Sequence, residues 1–415
     1  MRIPLPSDLS VAEKAANRAH LVRLENPPLP TRPLDRVTVI GGAANGLGVA
    51  LSLVAAGIPA LFLEEDASSL ERARFYLKRM TGGSVPPILH FSIDPRDATA
   101  SDLVIDQTIE PEAQKATLLR RVAEALPSGT PLLTNLAGPC LSNLAKRVPD
   151  PTRLLGAEFF AAAQSRLLEL APLPGTGAAA LRTASTLAGR LEKTTVIASA
   201  KGFTSERLQM RLLEAADTLL MDGSTPWEVD EAIEEFGYHM GPYEAQDLIG
   251  TDVAYAIRSR MPRDPARRYI PIADRAVAEG RLGKKASVGW YRYPGGEGKV
   301  IDPLVEDLCR EEARFAGVAP RPIPADDIRT RILLAQVNEA AAALGDGIPP
   351  GDLDLISTHA LGFPARWGGI IRFADRLGAP AILAALHALQ GEDPVAWQPA
   401  SALVHAARSG ERLGP

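Results

Sequence analysis

The spacing of apolar and polar positions changes period several times along the chain, and each change marks an element. Val37 to Ile40 is a short β-branched run. It breaks at a glycine cluster, continues as a small-residue helical stretch, and ends in a second apolar run closed by Glu64 and Glu65. This predicts strand, turn, helix, strand. Upstream, Ser7 and Asp8 before VAEKAANRAHLVRL signal a short helix, and ENPPLPTRP is a proline-rich linker. Residues 1–35 therefore read as an arm leading into the first strand. Downstream come a helix, LERARFYLKRM, and a Gly/Pro-broken segment up to Ala100 that contains His90 in a loop. A buried strand in SDLVIDQTI, an amphipathic helix in PEAQKATLLRRVAEAL and a strand in PLLTNLAG follow. Strands recur at RLLGAEFF, RLLELAP and TTVIAS, with the helix ALRTASTLAGRLEK between the last two. Strands alternating with helices predict a doubly wound, mostly parallel sheet over residues 36–199.

From Lys201 onward the strand signals stop, and the remainder reads as all-helical. It repeats itself. Glu214-Ala-Ala and Asp222-Gly223 return as Glu339-Ala-Ala and Asp346-Gly347, and Gly241-x5-Asp247-x2-Gly250 returns as Gly369-x5-Asp375-x2-Gly378. Two matched blocks in the same order predict a duplicated helical domain, residues 200–319 and 320–415.

The first strand-turn-helix-strand unit has the form that holds a dinucleotide. Its glycines allow a tight turn, the helix N-terminus receives the pyrophosphate, and an acid about 20 residues on meets the ribose hydroxyls. Glu64 stands where that acid belongs, and its charge disfavours a 2′-phosphate. The glycine pattern here is Gly41, Gly42, Ala43, Ala44, Asn45, Gly46, so Ala43 replaces the middle glycine and puts a methyl group at the closest approach to the pyrophosphate.

Composition narrows the class further. Hydrophobic residues at 46% and charged residues at 23% are those of a soluble globular protein. A formal net charge of −5, with arginines scattered among acids, gives no basic field for nucleic acid. No apolar run approaches 18 residues, and the N-terminus lacks a signal-peptide pattern, so no membrane association and a cytoplasmic location are expected. Cys140 and Cys309 are far apart, so neither a disulfide framework nor a metal site is indicated.

The motifs VTVIGGAANGLG, SDLVIDQTIEPEAQK, LLTNLAGP, LLGAEFF, KGFTSERL, MGPYEAQDLIGTDV, RLGKKASVGWYRY and ALGFPARWGGIIRFADRLG run through nearly the whole chain. Together they resemble the 3-hydroxyacyl-CoA dehydrogenase family, specifically the dehydrogenase half of the multifunctional β-oxidation enzymes. The resemblance implies an NAD-binding Rossmann domain followed by two related helical domains, and oxidation of an L-3-hydroxyacyl-CoA by hydride transfer to NAD. It implies that Glu110, Lys115 and Asn135 join Gly41, Ala43, Asn45, Gly46 and Glu64 around the cofactor. Without it, Glu110 and Lys115 read as a helix-start acid and an exposed lysine. It also implies a monomer, since the second helical copy can take the place of a partner chain.

Such a reaction needs a base at the 3-hydroxyl, which the family supplies as a histidine with a glutamate behind it and serine and asparagine beside it. Here the histidine's place holds Glu158. The serine-rich segment is Thr134-Asn135-Leu136-Ala137-Gly138, the later asparagine is Glu206, and the orienting acid corresponds to Glu169. The stretch between LERAR and SDLVID, where the family carries a helical pair against CoA, is also shortened. Two readings follow. In one, Glu158, Glu169 and Glu206 converge, and one carboxylate with a raised pKa acts as base in an altered oxidoreductase. Against that convergence, Glu158 or Glu206 faces solvent or pairs with Arg166 or Arg207; in the second reading, supported by the joint loss of histidine, serine and asparagine, the protein binds NAD or an acyl-CoA without catalysis or serves a structural role.

Overall fold

The central apolar strands pair into one sheet because both of their faces are covered. In this computed structural model the described residues are 9–24, 34–160, 165–260, 265–296 and 298–414. Ser7, Asp8 and the proline-rich linker at 25–33 lie outside them. The strands are β1 (Val37–Ile40), β2 (Ala60–Leu63), β3 (Leu89–Ser92), β4 (Leu103–Asp106), β5 (Leu132–Thr134), β6 (Leu154–Phe159), β7 (Leu167–Pro172) and β8 (Thr194–Ile197). They form an eight-stranded sheet in the order β3-β2-β1-β4-β5-β6-β7-β8. Among the described residues of this sheet, β6 and β7 pair antiparallel and the other neighbours parallel. Alternate side chains feed opposite cores: Val39, Phe62 and Ile105 pack on one face, Ile40, Leu61 and Val104 on the other.

The covering helices are α2 (Ala43–Ala55), α3 (Ala67–Met80), α4 (Glu112–Ala125), α5 (Gly138–Ala145) and α6 (Ala178–Arg190), numbered after the N-terminal α1 (Val11–Leu24). The expected doubly wound sheet is present, with one correction. The Gly/Pro-broken segment contains β3, and His90 lies on it, opposite Leu61, rather than in a loop. β3 is an edge strand with only Leu89 buried, so its apolar alternation is too short to register.

The chain divides into two units, Arg23–Ser205 and residues 206–415 together with the first 22. The helices of the second are α7 (Thr204–Asp222), α8 (Pro226–Phe236), α9 (Pro242–Ile249), α10 (Thr251–Arg260), α11 (Ile272–Ala278), α12 (Pro303–Phe315), α13 (Ala325–Gly345), α14 (Pro350–Leu355), α15 (Ile370–Leu377), α16 (Ala379–Leu389) and α17 (Ser401–Ser409). This part is not purely helical: β9 (Tyr291–Arg292) and β10 (Val300–Ile301) pair antiparallel.

The sequence echo corresponds to one packing device used twice. On α8, buried Asp230 accepts the backbone N–H groups of Tyr243 (2.8 Å) and Glu244 (2.9 Å) at the start of α9. Tyr291 Oη donates to it at 2.8 Å. On α14, buried Asp354 accepts the N–H groups of Ile371 (2.8 Å) and Arg372 (3.4 Å) at the start of α15, and His20 Nε2 lies 3.1 Å from it. Each aspartate presses on a glycine: a Cβ on Gly241 would lie 2.2 Å from Asp230 Cβ, and one on Gly369 2.3 Å from Asp354 Cβ. Asp247 then accepts from Trp290 N and Tyr291 N, as Asp375 does from Leu413 N and Gly414 N. Trp367 and Phe373 are interior anchors, with Trp367 stacked on Phe236 at 5.7 Å.

His20 shows that α1 belongs with the second unit and not with the first strand. Asn17 Nδ2 donates to Arg366 O at 2.7 Å, and Arg376 pairs with Glu13 at 3.0 Å. His20→Phe and Tyr291→Phe each leave a buried carboxylate one donor short, so each should lower unfolding stability by about 1–3 kcal/mol in urea titration. Equal stability of either variant with the parent would contradict the repeated device. Asp217 offers a second test. Burial pushes its carboxyl up to about 7, against the opposing effects of Arg258 and of Tyr243 Oη, which donates to it at 3.1 Å. A raised acid binds its proton in the native state first, so its contribution is intact below about pH 4 and lost as pH rises through 7. Asp217→Asn should be more stable than the parent at pH 8, by on the order of 2–4 kcal/mol, and the gap should close near pH 4.

Candidate functional site

The strand order reverses between β1 and β4, and the crevice at their carboxyl ends is where an α/β sheet receives a nucleotide. Gly41 and Gly42 make the turn out of β1 with φ of 54° and 82°, a region that disfavours side chains. A Cβ on Gly42 would lie 2.2 Å from Gln107 O, and one on Gly46 would lie 1.8 Å from Gly41 O, so helix and strand pack at backbone distance. Gly42 is the N-cap of α2 and provides no side-chain cap. Ala43 opens the helix. The uncapped first turn, with its dipole, suits an anionic group.

Glu64 ends β2 beside this turn; a Cβ on Gly41 would lie 3.8 Å from Glu64 Oε2 and 2.6 Å from Thr108 Cγ2. Partial burial raises the Glu64 pKa, Arg72 counters it, and Asp66, Glu65 and Glu110 add repulsion. A turn without side chains, an open helix N-terminus and a half-buried acid fit a dinucleotide with free ribose hydroxyls.

Lys115 is wholly buried, which corrects the reading of an exposed lysine. Its ammonium donates to Asp106 Oδ2 at 2.7 Å, Thr108 O at 2.8 Å and Asn135 Oδ1 at 2.7 Å. Asp106 also accepts from Thr108 N, Thr108 Oγ1 and Thr134 Oγ1, and Asn135 Nδ2 donates to Thr108 O at 3.1 Å. The ends of β4 and β5 are thus tied together under the crevice. The pattern reading missed Asp106, Thr108 and Gln107; a charged residue closing the apolar run LVID, nine positions before a lysine, was the available signal.

Further along the sheet, Glu158 on β6 and Glu169 on β7 are direct cross-strand partners. Glu158 is half-buried and Glu169 fully buried. Glu169 accepts Thr204 N at 2.6 Å, Ser205 N at 3.2 Å and Ser205 Oγ at 2.6 Å, so it caps α7. Burial raises its pKa, and the Ser205 hydroxyl and the two N–H groups oppose the rise. Glu206 follows in the first turn of α7. Arg207 pairs with Glu339 at 2.7 Å and Asp346 at 2.9 Å, both members of the repeated blocks.

Ala137 packs with Ala171, Ala198 and Phe203 in an apolar cluster. Gly138 has φ +57°, and a Cβ there would lie 2.8 Å from Lys201 O. A separate cavity of about 380 Å³, lined by Leu34, Ser101, Asp102 and Thr130 among others, opens elsewhere. The Asp102 carboxylate there already accepts Asp35 N and Arg36 N.

This combination of a dinucleotide-type sheet and a helical region is that of a two-part dehydrogenase. Residues 36–201 match the NAD binding domain of 3-hydroxyacyl-CoA dehydrogenase, and residues 202–293 match its C-terminal domain. The chain belongs to the 3-hydroxyacyl-CoA dehydrogenase family, an oxidoreductase family. The peroxisomal bifunctional enzyme of Danio rerio is 33% identical over 379 residues, 85% of this chain and 53% of that protein. Its Homo sapiens counterpart is 28% identical over 393 residues, 88% of this chain and 54% of that protein. The chain thus spans about half the length of the curated relatives it matches. The fold is shared with 3-hydroxybutyryl-CoA dehydrogenase from Escherichia coli K12, with a TM-score of 0.73 at 22% identity over 91% of this chain and 100% of that one. It is shared too with the dehydrogenase part of multifunctional enzyme 1 from C. elegans, with a TM-score of 0.60 at 22% identity over 96% and 97% of the two chains.

Breaking a buried pair leaves an uncompensated charge, so Lys115→Met should cost about 3–5 kcal/mol in guanidinium unfolding. A loss below 1 kcal/mol would mean that Asp106 is adequately held by its threonine donors alone.

Proposed function

We propose that this chain binds NAD in the β1/β4 crevice and that its oxidation of 3-hydroxyacyl-CoA is slow, Glu158 standing where relatives carry a histidine. The observation that carries this reading is the contrast between the two halves of the site. The nucleotide half keeps a side-chain-free turn, an open helix N-terminus and an acid at the strand end. On the other half, the Ala137 methyl packs with Phe203, at a position where the family resemblance implies a hydroxyl.

NAD, when bound, accepts a hydride from an alcohol carbon. The protein must then remove the hydroxyl proton and hold the oxygen. Glu158 is a weaker base than imidazole unless its pKa is raised, and Ala137 offers no hydrogen bond. Loss of a positioned general base alone removes about 10²–10⁴-fold of rate. A second reading, a working oxidoreductase with Glu158 as base, is favoured by its place directly opposite Glu169, since like charges on facing strands disfavour double ionisation.

Calorimetry should detect NAD binding, with preference over NADP, and Glu64→Ala should weaken it by about 10-fold. Because burial raises the Glu64 pKa, affinity should fall as the solution is acidified, and Glu64→Gln should abolish that dependence. No heat with NAD at any pH would remove the cofactor assignment. With 3-hydroxybutyryl-CoA and saturating NAD, turnover should stay well below the ordinary enzyme range of roughly 1–10³ s⁻¹. Glu158→His with Ala137→Ser should raise it more than either change alone. Position 138 is avoided because its φ excludes a side chain. Ordinary turnover by the unmodified protein would establish Glu158 as the base.

A further inference from the structure

The first turn of α2 has no cap of its own, yet it is held from across the crevice by one pair of amides. Asn45 Nδ2 donates to Gln107 Oε1 at 3.0 Å, joining α2 to the residue that follows β4. We infer that Asn45 and Gln107 are a positioning pair that pre-orders the phosphate-binding turn for the dinucleotide, an inference that rests on the NAD reading above.

Gln107 is fixed at every point. It is 1% exposed, its backbone N–H donates to Ile40 O at 3.0 Å, and its Nε2 donates to Asp106 O at 3.3 Å. Its carbonyl lies under Gly42, at the spot that a side chain there would strike. Asp106 is in turn gripped by Lys115. A rigid line therefore runs from the buried ammonium through Asp106 and Gln107 to Asn45. Asn45 is exposed in the first turn of α2, where its own N–H donates to Gly42 O at 3.0 Å. Gly42, in the left-handed region at φ 82°, orders that turn poorly, since glycine has the largest backbone freedom to lose.

A ligand that meets an already ordered turn does not bear the ordering cost, so the tie acts as pre-organisation. The expected size is that of one neutral hydrogen bond. Asn45→Ala should weaken NAD binding by about 3- to 10-fold, and Gln107→Met, close in volume but unable to accept, should do the same. Because the two side chains act as one tie, the double variant should bind no more weakly than either single variant. The swapped protein, Asn45→Gln with Gln107→Asn, should recover most of the affinity.

The experiment is isothermal calorimetry of these proteins with NAD and with ADP-ribose, which carries the pyrophosphate without nicotinamide. Hydrogen exchange at the amides of residues 44–47 is read in parallel. Equal losses for both ligands, a non-additive double variant and faster exchange in the first turn support the pair. Additive losses, unchanged affinity, or an effect on NAD that ADP-ribose does not share would overturn it. If Gln107→Met fails to fold, Asn45→Ala and Asn45→Leu, at an exposed position, still decide the matter. Absence of NAD binding by the unmodified protein would instead sink the cofactor reading on which the pair depends.

Discussion

A buried ammonium at the top of the sheet is the constraint on which the crevice depends. Lys115 reaches back from α4 to the ends of β4 and β5, where Asp106, Thr108, Thr134 and Asn135 close around it. Two fully buried charges are tolerable only when every lone pair and proton is matched, and Asp106 has four donors besides its backbone role. The network fixes where β4 ends, which sets where Gln107 and Thr108 stand against Gly41 and Gly42. Residues that a family pattern would assign to the ligand, Lys115 and Asn135, thus shape the site from beneath.

A second theme is the carboxylate at a helix start. Asp66 accepts Ser69 N for α3, Asp230 and Asp354 do the same for α9 and α15, and Glu169 caps α7. Each satisfies N–H groups that the helix cannot and aligns a negative charge with the positive end of the helix dipole. Glu169 accepts from Thr204 and Ser205 and so ties β7 to the start of α7.

The turn at the head of α2 is under a packing constraint of its own. Gly42 and Gly46 cannot accept a Cβ without breaking the contact between β1, α2 and β4, so the turn is protected by packing as well as by any ligand. Ala137, by contrast, sits in a small apolar cluster with Ala171, Ala198 and Phe203.

What the sequence by itself determined follows from local rules. Continuous apolar runs such as VTVI and LVID read as strands covered on both faces, the glycine cluster as a tight turn, and the recurring Gly-x5-Asp-x2-Gly blocks pointed to the repeated packing before its partners were visible. What only the tertiary structure decided depends on residues distant in the chain. β3 is a strand because β2 offers an open edge to Leu89–Ser92, not because of its own period. α1 belongs to the second unit because Asp354, far along the chain, needs His20. Lys115 is buried because three oxygens from two other segments surround it, and Gln107 matters because it meets Asn45. Periodicity reports which face of an element is apolar; it cannot report which buried polar atom meets which, since that is fixed by how the elements close on one another.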